Sequence, residues 1–265
     1  MSLDTAGDGL ADAARSVADG STIAFGGVGL NRKPLAFAAA LADRGARDLV
    51  VVSYLGSLEV EILLAGGCIA ELHSSGVSLE GAGMAPRYRR ARQDASVRFV
   101  EWSEGSLFGA LDAASRGLPS MPTRTSPRSQ VVESNPWLTV SPDPFTGEDI
   151  VVARALAPDV AVLHAGAADR SGNLYLDGDP GIDDTLSRAG TRVLATVEEI
   201  TSRPVVEARI SRLFVDEVLV IPNGSWPTPC FPVVVPDLAV VEAYAASGGE
   251  VALLRRAISK AGGSR

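Results

Sequence analysis

Histidine and cysteine are scarce, with two of each in 265 residues. Cys68 and Cys230 lie in no CxxC pair and in no spacing that ligates a metal, which argues against a zinc site or a disulfide scaffold. No leader-like segment opens the chain, so both are expected to be reduced thiols of a soluble cytoplasmic protein. Cations are the minority charge, 24 Lys and Arg against 32 Asp and Glu. The resulting net charge of −8 disfavours nucleic acid or an anionic membrane surface as a partner. No apolar run approaches the ~20 residues of a membrane span. Neither Ser-x-x-Lys nor Gly-x-Ser-x-Gly occurs, which leaves a serine-hydrolase triad unsupported. Aromatic residues make up 5% of the chain and hydrophobic residues 46%, so the core is aliphatic.

Within that composition, short aliphatic runs recur at residues 22–25, 49–53, 68–73, 97–100, 159–164, 192–196 and 217–221. Helix-like stretches at 34–42, 57–65, 85–93, 105–115 and 181–189 separate them. Continuous rather than alternating apolar strands are covered on both faces. The alternation predicts an open, mostly parallel, doubly wound α/β sheet with helices on both faces, forming one domain over 1–265. The tail 238–261 is expected to form two helices broken at Gly248-Gly249. Residues 118–147 carry six prolines (119, 122, 127, 136, 142 and 144) and are expected to be a long loop. Trp137 and Phe145 within it either meet a partner chain or fold back on the core.

The most informative stretch is Asp19 to Pro34. A tight turn and a short strand lead into Gly26-Gly27-Val28-Gly29, and Arg32-Lys33-Pro34 opens a helix. Paired glycines let backbone amides approach a ligand, and the helix start beyond them offers further N–H groups to an anion. The spacing is not that of a dinucleotide fingerprint. His73 and His164 both fall at predicted strand ends, where α/β sheets bind ligands, or serve as hydrogen-bonded structural residues. The basic run Arg87–Arg92 reads either as a phosphate attractor or as a solvated helix face.

The Asp19–Pro34 stretch resembles the signature of the class I coenzyme A transferases, with Val28 where phenylalanine is usual and Arg32 where glycine is frequent. The Arg-Lys-Pro ending is similar to the A subunits of the glutaconate type. The likeness continues through Ser75-Gly76-Val77, the arginine-rich helix, Glu101 to Gly105, Gly117-Leu118-Pro119, Ala161 to Ala165, Asp169 to Asn173, Glu198-Glu199-Ile200 and Gly224 to Pro227, about residues 15 to 235 in all. It implies a coenzyme A thioester as substrate, no bound cofactor, and a B subunit completing a heterodimer or α2β2 heterotetramer. Gly26, Gly27, Val28, Arg32, Lys33, Ser75, Gly76, Trp102 and Ser103 would then line the acyl-CoA site. Arg32 and Lys33 would pair with a substrate carboxylate or a CoA phosphate.

The family's nucleophilic glutamate, in a Ser-Glu-Asn-Gly context on the B half, has no counterpart here; Ser74-Ser75-Gly76 holds serine at that place. The A subunits of plain transferases tend to carry Tyr-Ser-Gln where this chain has Trp102-Ser103-Glu104. Glu104 in this register is similar to the A subunits of steroid ring-opening hydrolases, whose acid/base carboxylate comes from this segment. Beside Trp102, Glu104 is the expected catalytic residue; its competing role is a helix N-terminal charge facing the macrodipole. Four roles remain open on the sequence: CoA transfer, ring-opening hydrolysis, decarboxylation of a glutaconyl-type CoA, and a non-catalytic scaffold.

Overall fold

The structure is a computed structural model that describes residues 2–4 and 7–262; the ends of the expected 1–265 domain lie outside them. In chain order the elements are β1 (Ser2–Asp4), α1 (Gly7–Ser16), β2 (Thr22–Phe25), α2 (Leu35–Asp43), β3 (Leu49–Ser53), α3 (Leu58–Ala65), β4 (Ile69–Ser74) and α4 (Pro86–Asp94). There follow β5 (Arg98–Glu101), α5 (Glu104–Ser115), β6 (Ser120–Thr123), α6 (Gln130–Ser134), β7 (Leu138–Pro142) and β8 (Asp149–Arg154). The second half continues with β9 (Val160–Asp169), β10 (Leu174–Tyr175), α7 (Asp183–Ala189), β11 (Arg192–Thr201), β12 (Glu217–Val220), α8 (Leu238–Ala246) and α9 (Val251–Gly262).

The main sheet runs β1-β12-β11-β9-β2-β3-β4-β5, every pairing along that path parallel, with β10 added antiparallel to β9. The pleat sends alternate side chains to two separate cores. Ile23, Phe25, Leu49, Val51 and Val162 enter one, with helices α2 and α3. Ala24, Val52, Ala161, Leu163 and Ala165 enter the other, with α5 and α7. Each fully buried Leu or Ile contributes ~1.5–3 kcal/mol of transfer free energy, so both faces are held firmly. The expected doubly wound α/β sheet is what forms. No described helix is long and apolar enough to cross a membrane.

Residues 118–147 are not the bare loop that their proline content suggests. They supply β6, α6 and β7, which join β8 in a three-stranded antiparallel sheet of order β6-β8-β7. Pro122 and Pro142 lie on the two outer strands, where a missing N–H costs no ladder bond. Trp137 turns inward, its ring 5.5 Å from His73 and 6.5 Å from Trp102. Phe145 stays exposed at the β7–β8 turn.

The tail forms α8 and α9 on either side of Gly248-Gly249, as expected. Arg87 Nε and Arg90 Nη1 donate to the carbonyls of Gly249 and Gly248. Glu61 on α3 accepts the Arg87 and Tyr88 amides and the Tyr244 hydroxyl at 2.6 Å. Two arginines of the basic run therefore clamp the tail, and Arg92 pairs with Glu101.

Candidate active site

After β2 the chain turns through Gly27, whose φ is +71°, and every amide from Gly26 to Arg32 has an acceptor inside the protein. Gly26 donates to Val162 O, Gly27 to Asp183 Oδ1 at 2.8 Å, Val28 to Asn31 O, Gly29 to Leu55 O, Leu30 to Glu80 Oε1, Asn31 to Val28 O and Arg32 to Pro229 O. At the start of α2, the amides of Leu35 and Ala36 donate to Lys33 O and Gly224 O. The expected cradle of free donors is thus a closed, self-satisfied bend. A Cβ on Gly27 would collide with the Asn31 and Arg32 carbonyls, so a side chain there unmakes the bend rather than merely blocking a ligand.

Arg32 and Lys33 are not presented to solvent, being 1% and 0% exposed. Arg32 Nη1 pairs with Asp183 Oδ2 at 2.6 Å, and Nη2 donates to Asp179 O. Lys33 Nζ lies 3.1 Å from Glu59 Oε1 and donates to Gly27 O at 3.2 Å. Each buried cation has its own buried carboxylate, because an unpaired charge in the interior costs far more than a paired one. The expected pairing with a substrate carboxylate or phosphate therefore gives way to internal ion pairs that hold the bend. Burial pushes the Asp183 carboxyl up, against the pull of Arg32 and the Gly27 amide.

The surface of the bend is Val28 and Gly29, both half-buried. A hydrogen-bonded series runs from there along the carboxyl ends of β2 to β5. Gly29 N donates to Leu55 O, Gly56 N to Gly76 O, and Ser75 N to Tyr54 O at 3.1 Å. The Ser75 hydroxyl closes on the same Tyr54 carbonyl. The Tyr54 hydroxyl then donates to Glu104 Oε2 at 3.4 Å. The structure thus brings Gly26, Gly27, Val28, Ser75, Gly76, Ser103 and Glu104 to one sheet edge, the place where α/β sheets bind ligands.

Glu104 is exposed at the first position of α5, whose N-cap Ser103 forms a capping box with Ser106. Ser103 Oγ also meets Thr125 Oγ1 at 2.8 Å. Trp102 does not shield Glu104. It is 2% exposed and points the other way, Nε1 donating to His73 Nδ1 at 3.1 Å, because strand alternation puts it on the core face.

That contact fixes the tautomer of His73. Nδ1 accepts from Trp102, so Nε2 carries the proton and donates to Glu71 Oε1 at 2.5 Å. Burial holds His73 below its ordinary value of 6.5, Arg98 adds to the depression, and Glu71 opposes it. Below pH 6.5 the unfolded chain binds a proton that the folded one refuses. Stability from this residue is complete above 6.5 and is lost as pH falls toward the depressed folded value, by at most about 1.4 kcal/mol per pH unit. Urea midpoints measured from about pH 7.5 downward, a range that brackets the histidine titration, should fall faster for wild type than for His73→Gln. Parallel curves would remove His73 from the acid response.

His164 is not at a strand end. β9 continues through Gly166 to Asp169, so His164 sits mid-strand, buried, with Nδ1 2.9 Å from Thr196 Oγ1 and Nε2 2.9 Å from Glu198 Oε1. Both histidines are fully buried, with both ring nitrogens hydrogen-bonded inside the protein. No group of three or more His, Cys, Asp or Glu among the described residues could hold a metal. Sequence reasoning missed Tyr54 and Asp183. Asp183 offered no signal beyond its place at a helix start, and Tyr54 none beyond following a strand.

An open parallel sheet covered by helices on both faces defines the doubly wound α/β class. Residues 8–220 match the coenzyme A transferase family model, and the chain belongs to that family. It is 32% identical over 238 residues to the IpdA subunit of the cholesterol ring-cleaving hydrolase of Mycobacterium tuberculosis, covering 84% of this chain and 81% of that one. To the A subunit of the 3-oxoadipate CoA-transferase of Pseudomonas knackmussii it is 30% identical, covering 81% and 78%. The chain spans 48% of the length of an uncharacterized Archaeoglobus fulgidus protein at 28% identity. Among solved structures, a variant of the decarboxylase AibA/AibB superposes with a TM-score of 0.87 at 34% identity, covering 97% of this chain and 98% of that one. Glutaconate coenzyme A-transferase of Acidaminococcus fermentans shares the fold, with a TM-score of 0.88 at 22% identity over 98% and 88% of the two chains.

Proposed function

We propose that this chain is the A component of a heteromeric enzyme acting on acyl-CoA thioesters of the glutaconate or cyclic-ketone kind, and that Glu104 is its acid/base carboxylate in carbon–carbon bond cleavage. The observation that carries this reading is the Glu104 carboxylate itself. It stands exposed at the carboxyl edge of the sheet, and no Lys or Arg among the described residues forms an ion pair with it. A carboxylate left unneutralised there can take a proton from water for ring-opening hydrolysis, or, once it has taken a proton from solvent, deliver it to the carbanion left by decarboxylation. The relatives named as a ring-cleaving hydrolase and a decarboxylase support this class of chemistry. A second reading, CoA transfer with Glu104 as a helix-end charge, draws on the capping box at Ser103 and on the 3-oxoadipate relative. In that case the B subunit brings the nucleophile.

The test is co-expression with a B subunit, followed by mass analysis of the acyl-CoA products. Addition of water across a ring bond, or loss of carbon dioxide, with the thioester intact is the expected result. A thioester exchanged onto an added carboxylate would establish transfer instead. The chain expressed alone should be inactive, and full turnover by it would remove the partner from the scheme.

A further inference from the structure

Tyr54 is the polar group nearest to the Glu104 carboxylate that no sequence motif singles out. It follows β3 directly, and its backbone is held from two sides. Ser75 donates both its amide and its hydroxyl to the Tyr54 carbonyl, while the next residues, Leu55 and Gly56, are tied to Gly29 and to Gly76. The phenol is thus carried by the same rigid edge that carries the glycine bend, and it reaches Glu104 Oε2 at 3.4 Å. A tyrosine fixed in this way restricts one carboxylate oxygen, Oε2.

We propose that Tyr54 is the positioning residue of Glu104, donating its phenol hydrogen to Oε2 so that the carboxylate is held in one orientation and Oε1 faces the acyl-CoA. This rests on the acid/base reading of Glu104 and deepens it. The contact registers on the phenol: partial burial, the Glu104 charge and the Glu104 hydrogen bond together push Tyr54 above its ordinary value of 10.0. Glu104 is the charged group acting on Tyr54.

The experiment compares wild type, Tyr54→Phe and Glu104→Gln in the complex with the B subunit. Tyr54→Phe should leave KM unchanged and lower kcat by roughly tenfold, as loss of a supporting hydrogen bond does. Alkaline titration of tyrosine absorbance gives a readout independent of turnover and of the folding of Tyr54→Phe. Replacing Glu104 by Gln should bring one tyrosine midpoint down relative to wild type. An unmoved midpoint overturns the pairing. Wild-type kcat in Tyr54→Phe, with Glu104→Gln inactive, overturns the role of Tyr54 and leaves that of Glu104 standing. Wild-type turnover by Glu104→Gln overturns the acid/base reading, and the positioning role with it.

Discussion

Glu104→Gln should lower kcat by ~10²–10⁴-fold while KM for the acyl-CoA stays nearly constant, the usual worth of a positioned acid/base group. In barrier terms this is about 2.7–5.4 kcal/mol. The exchange keeps the side chain's shape and its place beside the N-cap Ser103, and it removes the charge together with the proton-transfer capacity. Were Glu104 merely a charge at the start of α5, the same change would cost ~0.3–1 kcal/mol of stability and leave kcat alone. The two readings therefore differ by orders of magnitude in one kinetic constant. A Glu104→Gln enzyme with wild-type kcat and pH profile would return CoA transfer to first place.

The largest stability effect is expected at Asp183. Its carboxylate accepts from the Gly27 amide through one oxygen and pairs with Arg32 through the other, both wholly inside the protein. Asp183→Ala leaves a buried guanidinium without its counter-charge and an amide without its acceptor, which should cost about 3–5 kcal/mol by chemical denaturation. Arg32 already carries a positive φ of +51° and an Nε with no hydrogen-bond partner, so it has little slack with which to find a substitute. The double change Asp183→Leu with Arg32→Met should recover a good part of the loss, since paired apolar replacement avoids the orphaned charge. Asp183→Ala within about 1 kcal/mol of wild type would show that this pair does not hold the bend.

The strands and helices of the main sheet were readable because their apolar runs are continuous and bounded, which is how doubly covered strands appear in sequence. Residues 118–147 were not, because proline density signals loop locally, whereas the tolerance of Pro122 and Pro142 depends on which strands end up at an edge. That is a property of the assembled sheet. The glycine bend was located correctly, but the fate of its cations was invisible: the carboxylates that neutralise them come from α3 and α7, far along the chain. His164 was misplaced because Gly166 looked like the end of a strand that in fact runs on to pair with β10 and β11. Glu104 was legible as a residue at the sheet edge. The direction of Trp102 was not, since one step along a strand reverses the face.

Every amide of the Gly26–Arg32 bend is committed to an acceptor inside the protein. Negative charge growing on a thioester oxygen needs preorganised donors, and this segment has none to spare. A donor for that charge must come from outside the bend, so under the acid/base reading of Glu104 the bend serves the reaction as a stiff wall. Under that division, the reaction type can drift by changes outside the bend, with the glycine bend passed on unaltered.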